Sequence, residues 1–230
     1  MRIWDVHPGY LNRQSLLGEH RELHGLVSIL VNGKKGYSKH PETLRWVGHG
    51  WAIKQRHRVL ACEMNLRGYT DKSPVKTRTN KGVWPSDYID EPHVQFELLR
   101  EKYKDKEAGR IPLPGNEQEL WSHHKYSVLA RDPEKYIEIG LRVSSKSISF
   151  EHLSIDLITT LRHPPSKGGI RNALQHMWGY ISDEYNAKNR GNIESWSLKK
   201  LLTLTQQNAI KVNEPYLLKS TALSELMVWL

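Results

Sequence analysis

A chain of 230 residues, 38% of them hydrophobic, can build one large domain or two small ones. No apolar run approaches the roughly eighteen residues needed to cross a membrane, and Asp5, His7 and Arg13 interrupt any signal-peptide core. The single cysteine, Cys62, excludes an internal disulfide and fits a reducing cytoplasm, and the net charge of +9 points to an anionic partner.

Taken in order, the elements read as all-α. Asn12 caps a helix predicted to run to about Val31, with Leu16, Leu23, Val27 and Leu30 as its buried stripe and Asn32-Gly33 as its end. Pro41 suits the first turn of a second helix reaching Leu66, with a break near Gly48–Gly50. In that helix Cys62 reads as a core filler. Residues 68–92 read as an irregular basic loop, and His93 to about Glu107 as a further helix. Pro112 and Pro114 within Gly109–Gly115 mark a linker. The expected domains are therefore 1–110 and 116–230. Five or six helices are expected in the second, with breaks near Arg131–Pro133, Ser144–Ser149, Pro164–Gly169, Lys188–Asn192 and Asn213–Pro215. Lys146–Phe150 is a short ambiguous strand candidate.

The charge is unevenly placed. Residues 1–81 carry 15 Lys/Arg against 6 Asp/Glu, whereas residues 82–230 carry 19 of each. A segment with the whole positive excess has the electrostatic footprint of a nucleic-acid-binding face. In that segment Arg21-Glu22 lies close in sequence to the chain start. An α-amine has an ordinary pKa of about 7.7–8.0, against about 10.4 for lysine, so part of it is nucleophilic at neutral pH. An amine with a carboxylate beside it is the minimal kit for Schiff-base chemistry at a sugar carbon. At about 100° per residue, Gly18, Arg21, Glu22 and Gly25 share a stripe away from the apolar side. Each exposed helical glycine costs about 1 kcal/mol relative to alanine, a cost that close approach of a phosphate backbone would justify.

The opening segment, MRIWDVHPGYLNRQSLLGEHRELHGL, resembles the phage pyrimidine-dimer DNA glycosylase/AP lyase family, of the endonuclease V type, and bacterial relatives that open Met-Arg-x-Trp. Arg2, Gln14, Glu19, Arg21, Glu22 and Leu23 match that family's residues in register. GKKGYSKHPE (33–42) and ACEMNLRGY (61–69) extend the resemblance, which weakens beyond Val75. It implies a DNA-repair enzyme acting on double-stranded damaged DNA. Met1 would supply the attacking α-amine and Glu22 the acid/base function, with Arg2, Gln14 and Arg21 holding the DNA. No metal or organic cofactor is implied. The chain departs from the family at Gly25 and Ser15, which stand where the family has arginine and histidine. Arg2 is bulky and should block removal of Met1, where the phage enzyme exposes a small threonine. The family's aromatic-rich tail has no clear counterpart. Trp121 or Tyr126 could stand in for it, although both read more naturally as core.

The second half resembles a YbgA-type domain of unknown function, through HHKYSVLARDPEKYIEIG (123–140), NALQHMWGY (172–180) and VNEPYLLKSTAL (212–223). His124, Lys125, Asn172 and His176 form a candidate second site there, weighed against a hydrogen-bond network that merely locks helices. HRELH (20–24) has two histidines at i, i+4, but its glutamate is misplaced for a metalloprotease and no third ligand is evident, so no metal is expected. His7, His40, His49 and His57 show no ligand spacing. Two further readings stay open: a non-catalytic basic nucleic-acid-binding protein, and a nucleobase enzyme whose chemistry lies in the second half.

Overall fold

A computed structural model describes residues 1–77, 81–182 and 193–230. The chain divides into two compact units, Met1–Gly109 and Arg110–Leu230. Among the described residues both are built from helices, with no strand. No described helix is long and apolar enough to cross a membrane.

The first unit contains α1 (Arg13–Asn32), α2 (Pro41–Arg45), α3 (Gly50–Leu66) and α4 (Pro92–Lys102). The Asn12 side chain accepts from the Ser15 amide to cap α1, and Gly33 ends it in the left-handed region at φ 61°. Gly48, at φ 83°, separates α2 from α3 where the break is expected. The buried face of α1 comprises Ser15, Leu16, Glu19, Leu23 and Leu26. Val27 and Leu30, expected inside, are half-buried, because the stripe tilts toward Leu26. Cys62 is likewise half-buried rather than a core filler. The fourth helix ends at Lys102, short of Glu107.

Residues 1–12 have little regular structure, so side chains satisfy their backbone groups. The Gln95 carboxamide on α4 accepts from the Asp5 amide at 2.8 Å and donates to the Asp5 carboxylate at 2.9 Å. Arg67 donates to the carbonyls of Leu11 (2.7 Å) and Gly9 (3.0 Å). The Tyr103 hydroxyl accepts from the Asn12 amide at 3.1 Å. At the centre, Arg56 of α3 grips Glu19 of α1 through two bonds of 2.7 and 2.9 Å, and its third arm reaches the Val6 carbonyl at 3.0 Å. Burial pushes the Glu19 carboxyl up, and the Arg56 guanidinium opposes that push.

The second unit contains α5 (Glu117–Leu129), α6 (Pro133–Ser144), α7 (Phe150–Leu161), α8 (Lys167–Gly179), α9 (Leu198–Lys211), α10 (Pro215–Leu218) and α11 (Ala222–Glu225). Among the described residues that is seven α-helices where five or six were expected, since the closing segment breaks into two single turns. Lys146–Phe150 is not a strand: Lys146 takes a left-handed turn and Ser149 caps α7. The break expected near Lys188–Asn192 lies outside the described residues. Arg131 and Glu225 form a buried two-pronged pair at 2.9 and 3.0 Å. Gly169 is required by packing, because a Cβ there would lie 2.0 Å from the Ala130 carbonyl oxygen.

Replacing Arg56 with leucine strands a buried carboxylate and frees Val6, so Arg56→Leu should cost about 3–5 kcal/mol in chemical denaturation. The double variant Arg56→Leu/Glu19→Leu should recover a large part of that loss, because no unpaired charge remains. Equal destabilisation by both would show that the charge pair is not what the position demands.

Candidate active site

The helix α1 carries three distinct faces. Leu16, Glu19 and Leu23 point into the core, His20 and His24 lie on one flank, and Gln14, Arg21 and Glu22 lie on the outer side. Gln14 and Arg21 are exposed and Glu22 is half-buried. A Cβ built on Gly18 or Gly25 meets nothing within 4 Å, so this stripe is bare.

The N-terminal segment brings the chain start to this outer side. The backbone amide of Arg2 donates to the Glu22 carboxylate. The Met1 α-nitrogen is three covalent bonds from that amide, so the Glu22 carboxylate lies near the chain's first residue. The arrangement puts the chain's first residues beside the Glu22 carboxylate, with a bare glycine-lined surface next to it. Arg2, expected to hold DNA, directs its guanidinium to Asp90 at 2.5 Å and lies over the Trp4 ring at 4.5 Å. Its Nη2 is buried and lacks a hydrogen-bond partner among the described residues. Asp90 and Trp4 therefore fix Arg2. Asp90 was not evident in the sequence, since it lies 88 residues from Arg2.

The charge pattern of residues 1–81 sharpens on folding. Asp5, Glu19, Glu22, Glu42, Glu63 and Asp71 are all buried or half-buried. Four of them bond arginines: Asp5 and Glu42 with Arg45, Glu19 with Arg56, and Glu63 with Arg67. Arg13, Arg21, Lys34, Lys35, Lys39, Lys72 and Lys76 are exposed. The described surface of this segment thus presents cations without exposed carboxylates.

On the flank of α1 the structure joins the i, i+4 pair His20 and His24 to two side chains that sequence spacing did not connect with them. His20, His24, His57 of α3 and Asp71 of the following loop each offer one atom, all within 4.8 Å of one another. Burial lowers the pKa of His24, and His20 adds to the shift. Burial also lowers His57 to about 4, against the opposing pull of Asp71.

In the second unit, His124 is buried and donates from Nδ1 to the Leu120 carbonyl at 2.9 Å, which holds it to its own helix. Burial lowers its pKa to about 4. Lys125 lies over the rings of Tyr126 (4.9 Å) and Tyr216 (4.4 Å), and Tyr216 stacks on Tyr180 at 4.9 Å. Asn172 is half-buried and His176 exposed. Lys125 is thus grouped with Tyr126 and with Tyr180 and Tyr216, which the sequence did not single out. Trp121 and Tyr126 are both buried, as core residues would be.

Both resemblances drawn from the sequence find a matching family. Residues 1–77 match a family described as pyrimidine dimer DNA glycosylase. Residues 125–226 match a family described as a protein of unknown function (DUF1722). No curated protein and no solved structure matches the chain.

The bare stripe has a measurable signature. Gly18→Ala and Gly25→Ala have open space for the added methyl group and should each stabilise the protein by roughly 0.5–1 kcal/mol. If the glycines serve close approach of a phosphate backbone, the same variants should weaken binding to damaged duplex DNA. Greater stability with unchanged DNA binding would make them indifferent surface positions.

Proposed function

We propose that the first unit is a DNA glycosylase with AP-lyase activity, acting on UV-type pyrimidine dimers or related damaged bases in double-stranded DNA. The observation that supports the reading is the bond between the Arg2 amide and the Glu22 carboxylate, which brings residue 1 near Glu22. The family match over residues 1–77 supports the substrate class. The exposed cations of the same segment fit a phosphate backbone.

In this reading the neutral Met1 amine attacks C1′ of the damaged nucleotide. The C1′–N bond breaks, the base leaves with the bonding electron pair, and the attacking nitrogen loses a proton. The C1′–O4′ bond then opens, O4′ taking up a proton, as the nitrogen lone pair forms the sugar iminium. Glu22 moves protons at the amine and at the sugar, and its negative charge stabilises the iminium. Removal of a C2′ proton then expels the 3′ phosphate and nicks the strand. Arg21 and Gln14 contact the kinked backbone from the exposed face, while Arg2, tied to Asp90, positions residue 1. A lesion that stacks and pairs poorly costs less to extrude than a normal base, which favours damaged sites.

Nicking of abasic and UV-irradiated duplex is the direct assay. Glu22→Gln keeps size and hydrogen bonding but removes the base, so cleavage should fall by ~10²–10⁴-fold while DNA binding persists. An uncleaved N-terminal extension should abolish nicking, because it blocks the amine and displaces it beyond the ~3–3.5 Å reacting distance. A C-terminal tag should leave nicking intact. Full activity in a protein carrying the extension, verified by intact mass, would overturn the mechanism.

A further inference from the structure

We propose that His20, His24, His57 and Asp71 form a binding site for one divalent metal ion, of the closed tetrahedral zinc type. The four donor atoms lie within 4.8 Å of one another, and four contacts among these groups stand near tetrahedral spacing. His24 Nε2 lies 3.4 Å from His20 Nε2 and 3.2 Å from His57 Nε2. The Asp71 carboxylate closes the ring, with one oxygen 3.3 Å from His20 Nε2 and the other 3.5 Å from His57 Nε2. Four donors bound at about 2.0–2.1 Å to one ion stand about 3.3–3.4 Å apart along each tetrahedral edge. The four separations bracket that value.

Hydrogen bonding among the four groups accounts for the geometry less well. Each neutral imidazole brings either one proton or one lone pair to its Nε2. His24 must then accept from both neighbours, and the single protons of His20 and His57 must each serve His24 and Asp71 together. Two protons would cover four contacts, none of them linear. A cation at the centre takes all four lone pairs at once. Three imidazole nitrogens and one carboxylate oxygen are donors that zinc accepts readily. The Ser73 amide donates to Asp71 Oδ1 at 2.9 Å and holds the carboxylate in place, as an outer partner of a metal ligand does.

The position also defines the role. The ligands come from α1, from α3 and from the irregular loop that follows α3, so the ion would clip three segments together. On α1, Glu22 lies about 160–200° around the helix from His24 and His20, on the opposite side. The ion would therefore hold the scaffold and take no part in chemistry at Glu22. With four protein ligands the site leaves no open position for substrate.

The test uses the full-length chain without a histidine tag, stripped with chelator and titrated with Zn²⁺ alone against a chromophoric competitor. One ion should bind per chain and raise the thermal midpoint. Co²⁺ loaded in its place should give the intense visible absorption of a tetrahedral ion, a readout that needs no variant. His57→Gln and Asp71→Asn should each weaken Zn²⁺ binding by at least about 100-fold, beyond the range typical of losing an outer-shell partner. Zinc bound equally by wild type and both variants, a weak octahedral Co²⁺ spectrum, or a folded chain that binds no zinc would each overturn the proposal. Neither result bears on nicking by Met1 and Glu22, so the two readings fail separately.

Discussion

The Glu19–Arg56 pair is the contact on which the first unit depends. Both side chains are buried, and a buried charge is tolerated only when paired and fully hydrogen-bonded. Arg56 meets that demand with two arms on Glu19 and a third on the Val6 carbonyl. One residue thereby ties α1 to α3 and fixes the path of the N-terminal segment across both. Gln95, Arg67 and Tyr103 secure the rest of that segment. Glu22 follows Glu19 by three residues on the same helix, so a segment registered at Glu19 delivers its first residues to Glu22. A flexible chain start becomes a positioned one.

The same helix separates its tasks by face. Its inner face packs, its flank gathers histidines, and its outer face stays bare around Arg21 and Glu22. The carboxylates of residues 1–81 are drawn inward, four of them onto arginines, so the remaining cations dominate the exposed surface. Attraction for a polyanion therefore follows from where the acids went as much as from how many bases the segment carries.

Much of this was legible in the sequence where local chemistry decides the outcome. Asn12, Gly33, Pro41 and Gly48 bound their helices as their side chains or backbone freedom require, and the all-α class follows from apolar spacing. The family resemblance pointed to the chain start and Glu22 together, and the structure bonds the Arg2 amide to Glu22, although nothing in spacing brings an irregular segment to a helix face. What stayed hidden depends on long-range packing. Helical periodicity favoured Val27 and Leu30 over Leu26, but the tilt of α1 against its neighbours decides which is buried. Glu19 matched the family yet gave no sign of Arg56, 37 residues on. Asp90 and Asp71 lie in an irregular segment whose course no period encodes, so neither the anchor of Arg2 nor the histidine cluster could be foreseen. Lys146 shows the limit of short patterns, because a left-handed turn, not a strand, fills a run that alternates like one.

In the proposed mechanism the N-terminal amine, near Glu22, forms the covalent bond to DNA. Borohydride reduction in the presence of abasic duplex, followed by peptide mapping of the trapped complex, tests it most directly. A single adduct on Met1 is expected. An adduct on a lysine, with Met1 recovered unmodified, would contradict it even if the strand is nicked.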